Sequence, residues 1–169
     1  FYTGSQITPK VAATYNGLNL AETTDYALTY GENINVATGG TITLTGAGNY
    51  TGTKVISFAI SKRYLTDAAV TAAVKAGTYT YTGSQITPKV DAAYNSTALT
   101  EGTDYTLTYG ANVNAGTKAG SIKVNGTTNY TGTIDLTFDI APKNLADEDV
   151  TAAVAAGTYT FTGSQLTPK

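Results

Sequence analysis

The 169-residue chain contains no cysteine, methionine, histidine or tryptophan. Without cysteine no disulfide can staple a small fold, and neither a secreted nor an intracellular origin gains support from that count. The same absences remove the side chains that most often act as nucleophile, general base or transition-metal ligand. No phosphate-cradling Gly-Lys-Ser/Thr loop occurs, and no carboxylate pair is kept between the sequence copies described below, so neither an enzyme nor a bound cofactor or metal is expected. Charge is scarce as well: 10 Lys and Arg stand against 12 Asp and Glu, a net charge of −2 with 13% charged residues. That balance provides no field to hold nucleic acid or an anionic membrane. No apolar run approaches the ~18 residues of a membrane span. The chain opens at Phe1 inside a repeated phrase, so any signal peptide or anchor is expected outside this segment.

What fills the chain is repetition, rich in Thr, Ala, Gly and Tyr. The text YTGSQITPKV at Tyr2 to Val11 returns unchanged at Tyr81 to Val90, and FTGSQLTPK begins it again at Phe161 to Lys169. The offsets are 81 − 2 = 79 and 161 − 81 = 80 residues. Downstream, TDYALTYGENINVATGG from Thr24 matches TDYTLTYGANVNAGTKAG from Thr103, and GAGNYTGTKVISFAI from Gly46 matches GTTNYTGTIDLTFDI from Gly126. One residue inserted near Lys118 accounts for the change of offset. Helical solenoids and leucine-rich arrays have units of roughly 20 to 47 residues, so this period suits a string of small domains instead. A unit of this size buries only around 60% of its surface, and contacts between neighbours should help it.

Within each copy, short runs alternate apolar and polar residues with period two, as half-buried strands do. The second copy predicts strands over Thr78–Thr82, Lys89–Tyr94, Asp104–Tyr109, Ser121–Val124 and Ile134–Ile140. Turn chemistry separates them, including Glu-Gly-Thr-Asp and Asn-Tyr-Thr-Gly, and Asn16-Gly17 is a two-residue hairpin signal. The Ala-rich stretches Asp67–Val74 and Asp147–Val154 are also read as strands, with a helical turn at Leu145–Asp149 left open. Many short strands near ten residues apart point to a β-sandwich or an open barrel. The segments Ser61-Lys62-Arg63 and Ala141-Pro142-Lys143 follow the last apolar strand of a copy, and proline there ends a ladder for want of an amide hydrogen. The expected units are residues 1–61, lacking a first strand, a complete unit at 62–141, and the start of a third at 142–169. The ends are thus complementary parts of one repeat, and frayed or intermolecularly paired ends are expected wherever a neighbouring repeat is missing.

The order YTG, ITPKV, GTDY, YGxN, NYTG and a closing FxI resembles the tandem Ig-like repeat of large surface proteins from Gram-positive anaerobic bacteria. The likeness covers most of each copy, although the first has Glu22-Thr23-Thr24 where the second has Glu101-Gly102-Thr103. It implies an all-β fold of tandem small Ig-like β-sandwich repeats of about 80 residues, extracellular, wall-attached or secreted, and non-catalytic.

Each candidate site residue has two readings. Tyr2, Tyr15, Tyr26, Tyr30 and Tyr50 recur as Tyr81, Tyr94, Tyr105, Tyr109 and Tyr130. They could stack on sugar rings, with Tyr50 and Tyr130 as the ligand contacts, but inward strand positions favour core packing with the hydroxyl bonded at the rim. Asp25 with Asn33 and Asn35, and Asp104 with Asn112 and Asn114, gather oxygens, yet one carboxylate per set is poor for calcium and turn capping is favoured. Asp147, Glu148 and Asp149 are densest in acid, but the first copy of that text reads Asp67-Ala68-Ala69. Lys10, Lys89 and Lys169 raise a Lys–Asn isopeptide bond, which alternation disfavours by sending those side chains to solvent. Asn49, Asn95, Asn125 and Asn129 begin N-glycosylation sequons, read here as turns. The function expected is a stalk or fibre on a bacterial surface, its partners being neighbouring repeats, stiffened by contacts through segments such as Tyr79–Ser84. The alternatives are an adhesin binding glycan or host protein multivalently, and a filament self-assembled by strand complementation.

Overall fold

Apolar residues alternating with threonine give each run one face that must leave water, and the chain answers with short strands and no α-helix among the described residues, 1–167, of a computed structural model. The first copy carries β1 (Thr14–Tyr15), β2 (Leu18–Asn19), β3 (Tyr26–Tyr30), β4 (Gly40–Gly46) and β5 (Thr53–Phe58). There follow β6 (Arg63–Tyr64), β7 (Val70–Val74), β8 (Val90–Tyr94), β9 (Thr97–Ala98), β10 (Tyr105–Tyr109), β11 (Gly116–Gly126), β12 (Tyr130–Thr131) and β13 (Thr133–Ile140).

The matching texts build matching sheets. Antiparallel β3-β4-β5 sets Ile42 opposite Tyr30 and Ile56, and antiparallel β10-β11-β13 sets Ile122 opposite Tyr109 and Leu136. The inserted residue shows as a register shift between Gly116 and Gly120, where Lys118 takes φ 52° and donates its amide to Asp139 Oδ1 at 2.7 Å. The hairpin signal also holds. Asn16-Gly17, at φ 47° and 80°, joins β1 to β2, and Asn95-Ser96 makes the same left-handed pair before β9. The departure at Thr23 changes the residue but not the turn, since Thr23 adopts φ 75° where Gly102 has φ 85°.

A second sheet, β7-β8-β9, and a parallel pair, β6 with β12, complete the second copy. Leu65, Val90, Ala92, Tyr94, Tyr105, Ile122, Val124, Tyr130, Phe138 and Ile140 form one buried cluster drawn from both sheets. The result is a β-sandwich-like, all-β architecture. Phe138 lies against Gly120, as Phe58 does against Gly40, and a Cβ at either glycine would come within 2.3 Å or 2.1 Å of the ring and force it to shift.

The first copy has the same residues but not the same burial. Tyr15 is 57% exposed where its counterpart Tyr94 is 8% exposed, and β1 has two residues where β8 has five. The difference traces to β7, which pairs along the whole of β8 and has no counterpart in front of β1.

Two sequence expectations fail. Thr78–Thr82 forms no strand but a single parallel bridge, Thr80 to Ala141, because its backbone bonds go only to the end of β13. Asp147–Val154 forms no strand among the described residues, though its text is nearly that of Asp67–Val74, because no β8 lies beside it. The helical turn left open at Leu145–Asp149 is instead a pair of turns, closed by the amides of Asp147 and Val150 on Asn144 and Asp147.

Leu65 is 2% exposed while Leu145, in the corresponding place of the third text, is 81% exposed. Leu65→Ala should lower the stability of the second copy by about 2–5 kcal/mol. Leu145→Ala in dilute solution should change it by less than about 0.5 kcal/mol. Urea denaturation followed by tyrosine fluorescence reads both.

Candidate functional site

Each copy fastens its ITPKV text to its main sheet through polar groups. Asn112, buried at φ 49°, donates Nδ2 to the carbonyls of Ile86 and Ser121 and accepts the Ser121 amide at Oδ1. Asn33 repeats the set with Ile7 and Thr41. The Tyr105 and Tyr109 hydroxyls donate to the carbonyls of Val90 and Pro88, as Tyr26 and Tyr30 do to Val11 and Pro9. Asp25 and Asp104 accept the amides of Ala21 and Thr100 at 2.8 Å. Of the residues considered for calcium, Asp25 and Asp104 cap turns, whereas Asn33 and Asn112 tie the ITPKV text to the sheet, and no group of three or more acidic residues able to hold a metal ion occurs among the described residues.

The other polar concentration lies where the two copies meet. Asn129, buried, donates Nδ2 to Asn35 Oδ1 at 2.9 Å and accepts the Val36 amide at Oδ1 at 3.0 Å. Both ends of the buried Asn129 amide are thus satisfied across the boundary, in a place where an unpaired one would be costly. Beside them Tyr2 packs edge-on against Tyr130, with ring centroids 5.4 Å apart, and Tyr130 packs edge-on against Tyr94 at 6.2 Å. A cleft lined by Tyr2–Ser5, Tyr94, Asn95, Thr97 and Tyr130 marks the seam.

Arg63 clasps this seam. Its Nε donates to the Tyr2 carbonyl at 3.0 Å, an NH1 hydrogen bonds Asp67 at 2.8 Å, and the guanidinium sits 5.7 Å from the Phe1 ring centroid and 5.2 Å from that of Tyr94. Asp67 accepts the Ala69 amide as well, and that bond, with the Arg63 bond, holds its carboxyl below the usual aspartate range. Burial, reinforced by neighbouring Tyr2, Asp104 and Tyr94, pushes the Tyr130 hydroxyl up to about 12 against the opposing pull of Arg63.

The two tyrosines read as ligand contacts part company. Tyr130 is 3% exposed, held between Tyr2 and Tyr94, and offers a sugar no free face. Tyr50 is half-buried beside Tyr15. Lys10 and Lys89 are exposed, and Lys89 reaches Glu101 at 3.5 Å rather than a buried asparagine. Lys169 lies outside the described residues. The acidic run is tied by Lys143, which bridges Asp147 at 2.9 Å and Asp149 at 2.8 Å. Sequence reasoning missed Arg63 and the meeting of Asn35 with Asn129. Their only trace is that both asparagines recur, at Asn114 and Asn49.

No family model, curated protein or solved structure matches this chain. No helix among the described residues is long and apolar enough to cross a membrane.

Asn129→Ala should strip the Val36 amide and Asn35 of their partner, costing about 1–3 kcal/mol and widening the range of angles between the copies, read by residual dipolar couplings. Titration should release the seam at both extremes. The lowered folded pKa of Asp67 gives stability present above the ordinary 3.8 and lost as pH falls through the lower folded value. Tyr130 works in the opposite sense. Its raised value gives stability present below 10.0 and lost as pH climbs towards about 12, so tyrosinate absorbance and unfolding should rise together in that window.

Proposed function

We propose that the chain is a non-catalytic segment of an extracellular stalk or fibre, built from tandem Ig-like β-sandwich units at residues 1–61, 62–141 and 142–169, of the kind its motifs resemble in bacterial surface proteins. The observation that carries this proposal is the seam. Its two faces differ, Asn35 and Val36 on one copy and Asn129 on the next, and both recur at the outer ends as exposed Asn114 and exposed Asn49. A contact between unlike faces that does not close on itself can be repeated along a line, as a spacer requires.

Side-chain exposure gives further support. A multivalent adhesin needs solvent-facing aromatics at equal positions in each copy, whereas Tyr26 and Tyr105 are both buried and exposed Tyr15 answers to buried Tyr94. The cleft between Val74–Tyr79 and Phe138–Pro142 offers little chemistry. Its one carboxylate, Asp139, already accepts the Lys118 amide.

Small-angle scattering of the chain, paired with glycan and matrix-protein arrays, tests the proposal. The expected outcome is an elongated particle with a fixed angle between copies and no saturable binding. Freely jointed copies would sink the rigid spacer, and binding lost in Tyr50→Ala would make the chain an adhesin.

A further inference from the structure

The second copy is held shut at both ends by parallel backbone contacts. Where the chain enters it, β6 lies parallel to β12, with Arg63 opposite Tyr130 and Tyr64 opposite Thr131, and the amides of Arg63 and Leu65 donate to the carbonyls of Asn129 and Thr131 at 2.9 and 2.8 Å. Just past these bonds Leu65 is buried in one cluster with Tyr130 and Ile140. β12 runs through Gly132 into β13, whose eight residues carry the chain to its exit at Ala141, roughly 27 Å further along. There Ala141 donates its amide to the Tyr79 carbonyl and accepts the Tyr81 amide, both at 2.8 Å, in a parallel bridge with Thr80. Tyr79 packs edge-on against Phe138, with ring centroids 5.1 Å apart. The Tyr2 amide and Ser61 carbonyl repeat one of these exit bonds in the first copy.

We propose that the second copy is a tension-bearing unit whose resistance comes from β6 sheared against β12. A pull between Lys62 and Pro142 draws β6 back along its own axis and draws β12 and β13 forward. The Arg63 and Leu65 amide bonds are then strained side by side and must fail together, whereas bonds at an opening end fail in turn. An antiparallel β6 would have set the entry beside the exit, and the same pull would have peeled the ladder from one end. Sliding β6 also drags Leu65 out of the core, so apolar burial resists the same displacement. At the exit, the bridge to Thr80 keeps Ala141 from fraying first, because Tyr81 leads directly to Ile86, whose amide is fastened to the Asn112 carbonyl. None of this needs a neighbouring copy, since every one of these groups lies between Arg63 and Ala141. The source of the pull rests on the stalk proposed above; the resistance belongs to the unit.

Optical-tweezer unfolding of the full chain tests the proposal. The sequence has no cysteine, so two introduced ones fix the direction of pull. Lys62→Cys with Pro142→Cys loads the second copy along β6 and β13, while Lys62→Cys with Thr128→Cys opens the same contact from its end. All three positions are exposed, so the copy should stay folded, and the first copy lies outside the load in both. Forced unfolding reads the unfolding barrier rather than equilibrium stability, so one fold can give two forces, and the first pair should need at least about twofold more at the same loading rate. It should also release a contour length of about 28 nm in one step, some 3.5 Å for each residue between the anchors. Equal forces in the two directions, or release that starts at the exit with β6 still seated, would overturn the proposal without touching the spacer, whose own failure would show in scattering.

Discussion

Closure of the core by the segment from Leu65 to Val74 is the constraint on which the structure depends. Without it a copy still forms a three-stranded sheet, because β3, β4 and β5 pair through contiguous chain and short turns. Its second layer shrinks to the short pair β1-β2. Tyr15 and Tyr94 occupy the same place in the same text, and only the one covered by a unit with β7 in position leaves water. A domain of this size has little apolar surface to spare, so a five-residue strand and one leucine decide whether two sheets share a core.

The seam between copies is tied to that closure by chain economy. The Ser61 carbonyl accepts the Tyr2 amide in the first copy, the Arg63 amide donates to Asn129 in the second, and Leu65 is already in the second core. Within these few residues the chain leaves one set of hydrogen bonds and enters the next, which leaves no slack for a hinge. Tyr2 then covers Tyr130, so part of the second core is roofed by the first copy. The asparagine pair fixes the angle more than it supplies stability, since amide-to-amide bonds replace bonds to water at small net gain. Its value is that other angles would leave buried amides unpaired.

The strands of the main sheets were legible in the sequence because period-two alternation reports which face is buried, and Asn16-Gly17 and the Lys118 insertion were legible because turn and register are local. Pairing was less so. Thr78–Thr82 alternates as a strand should, yet bonds only Ala141, and Val150–Val154 repeats a strand's text without being one. Alternation describes a face and is silent on whether a neighbour exists. The seam lay further out of reach, because Asn35 and Asn129 are 94 residues apart and each also suits a turn. Core packing of Tyr130 follows from the recurring tyrosines, but the part of its burial that Tyr2 of the other copy supplies lies in no pattern within one copy.

The composition of the closing strand bears on how such units assemble. Val-Thr-Ala-Ala-Val presents small side chains, so an unpaired copy of it exposes little apolar surface and is a weak template for indiscriminate edge pairing. Selectivity comes from what flanks it, a leucine on one side and a tyrosine on the other, placed to match a groove rather than any open edge. In the second copy this strand precedes its acceptor, with only residues 75–89 between them, so closure is a local event with a small loop-closure cost. A unit can therefore close as soon as its own contiguous chain is present.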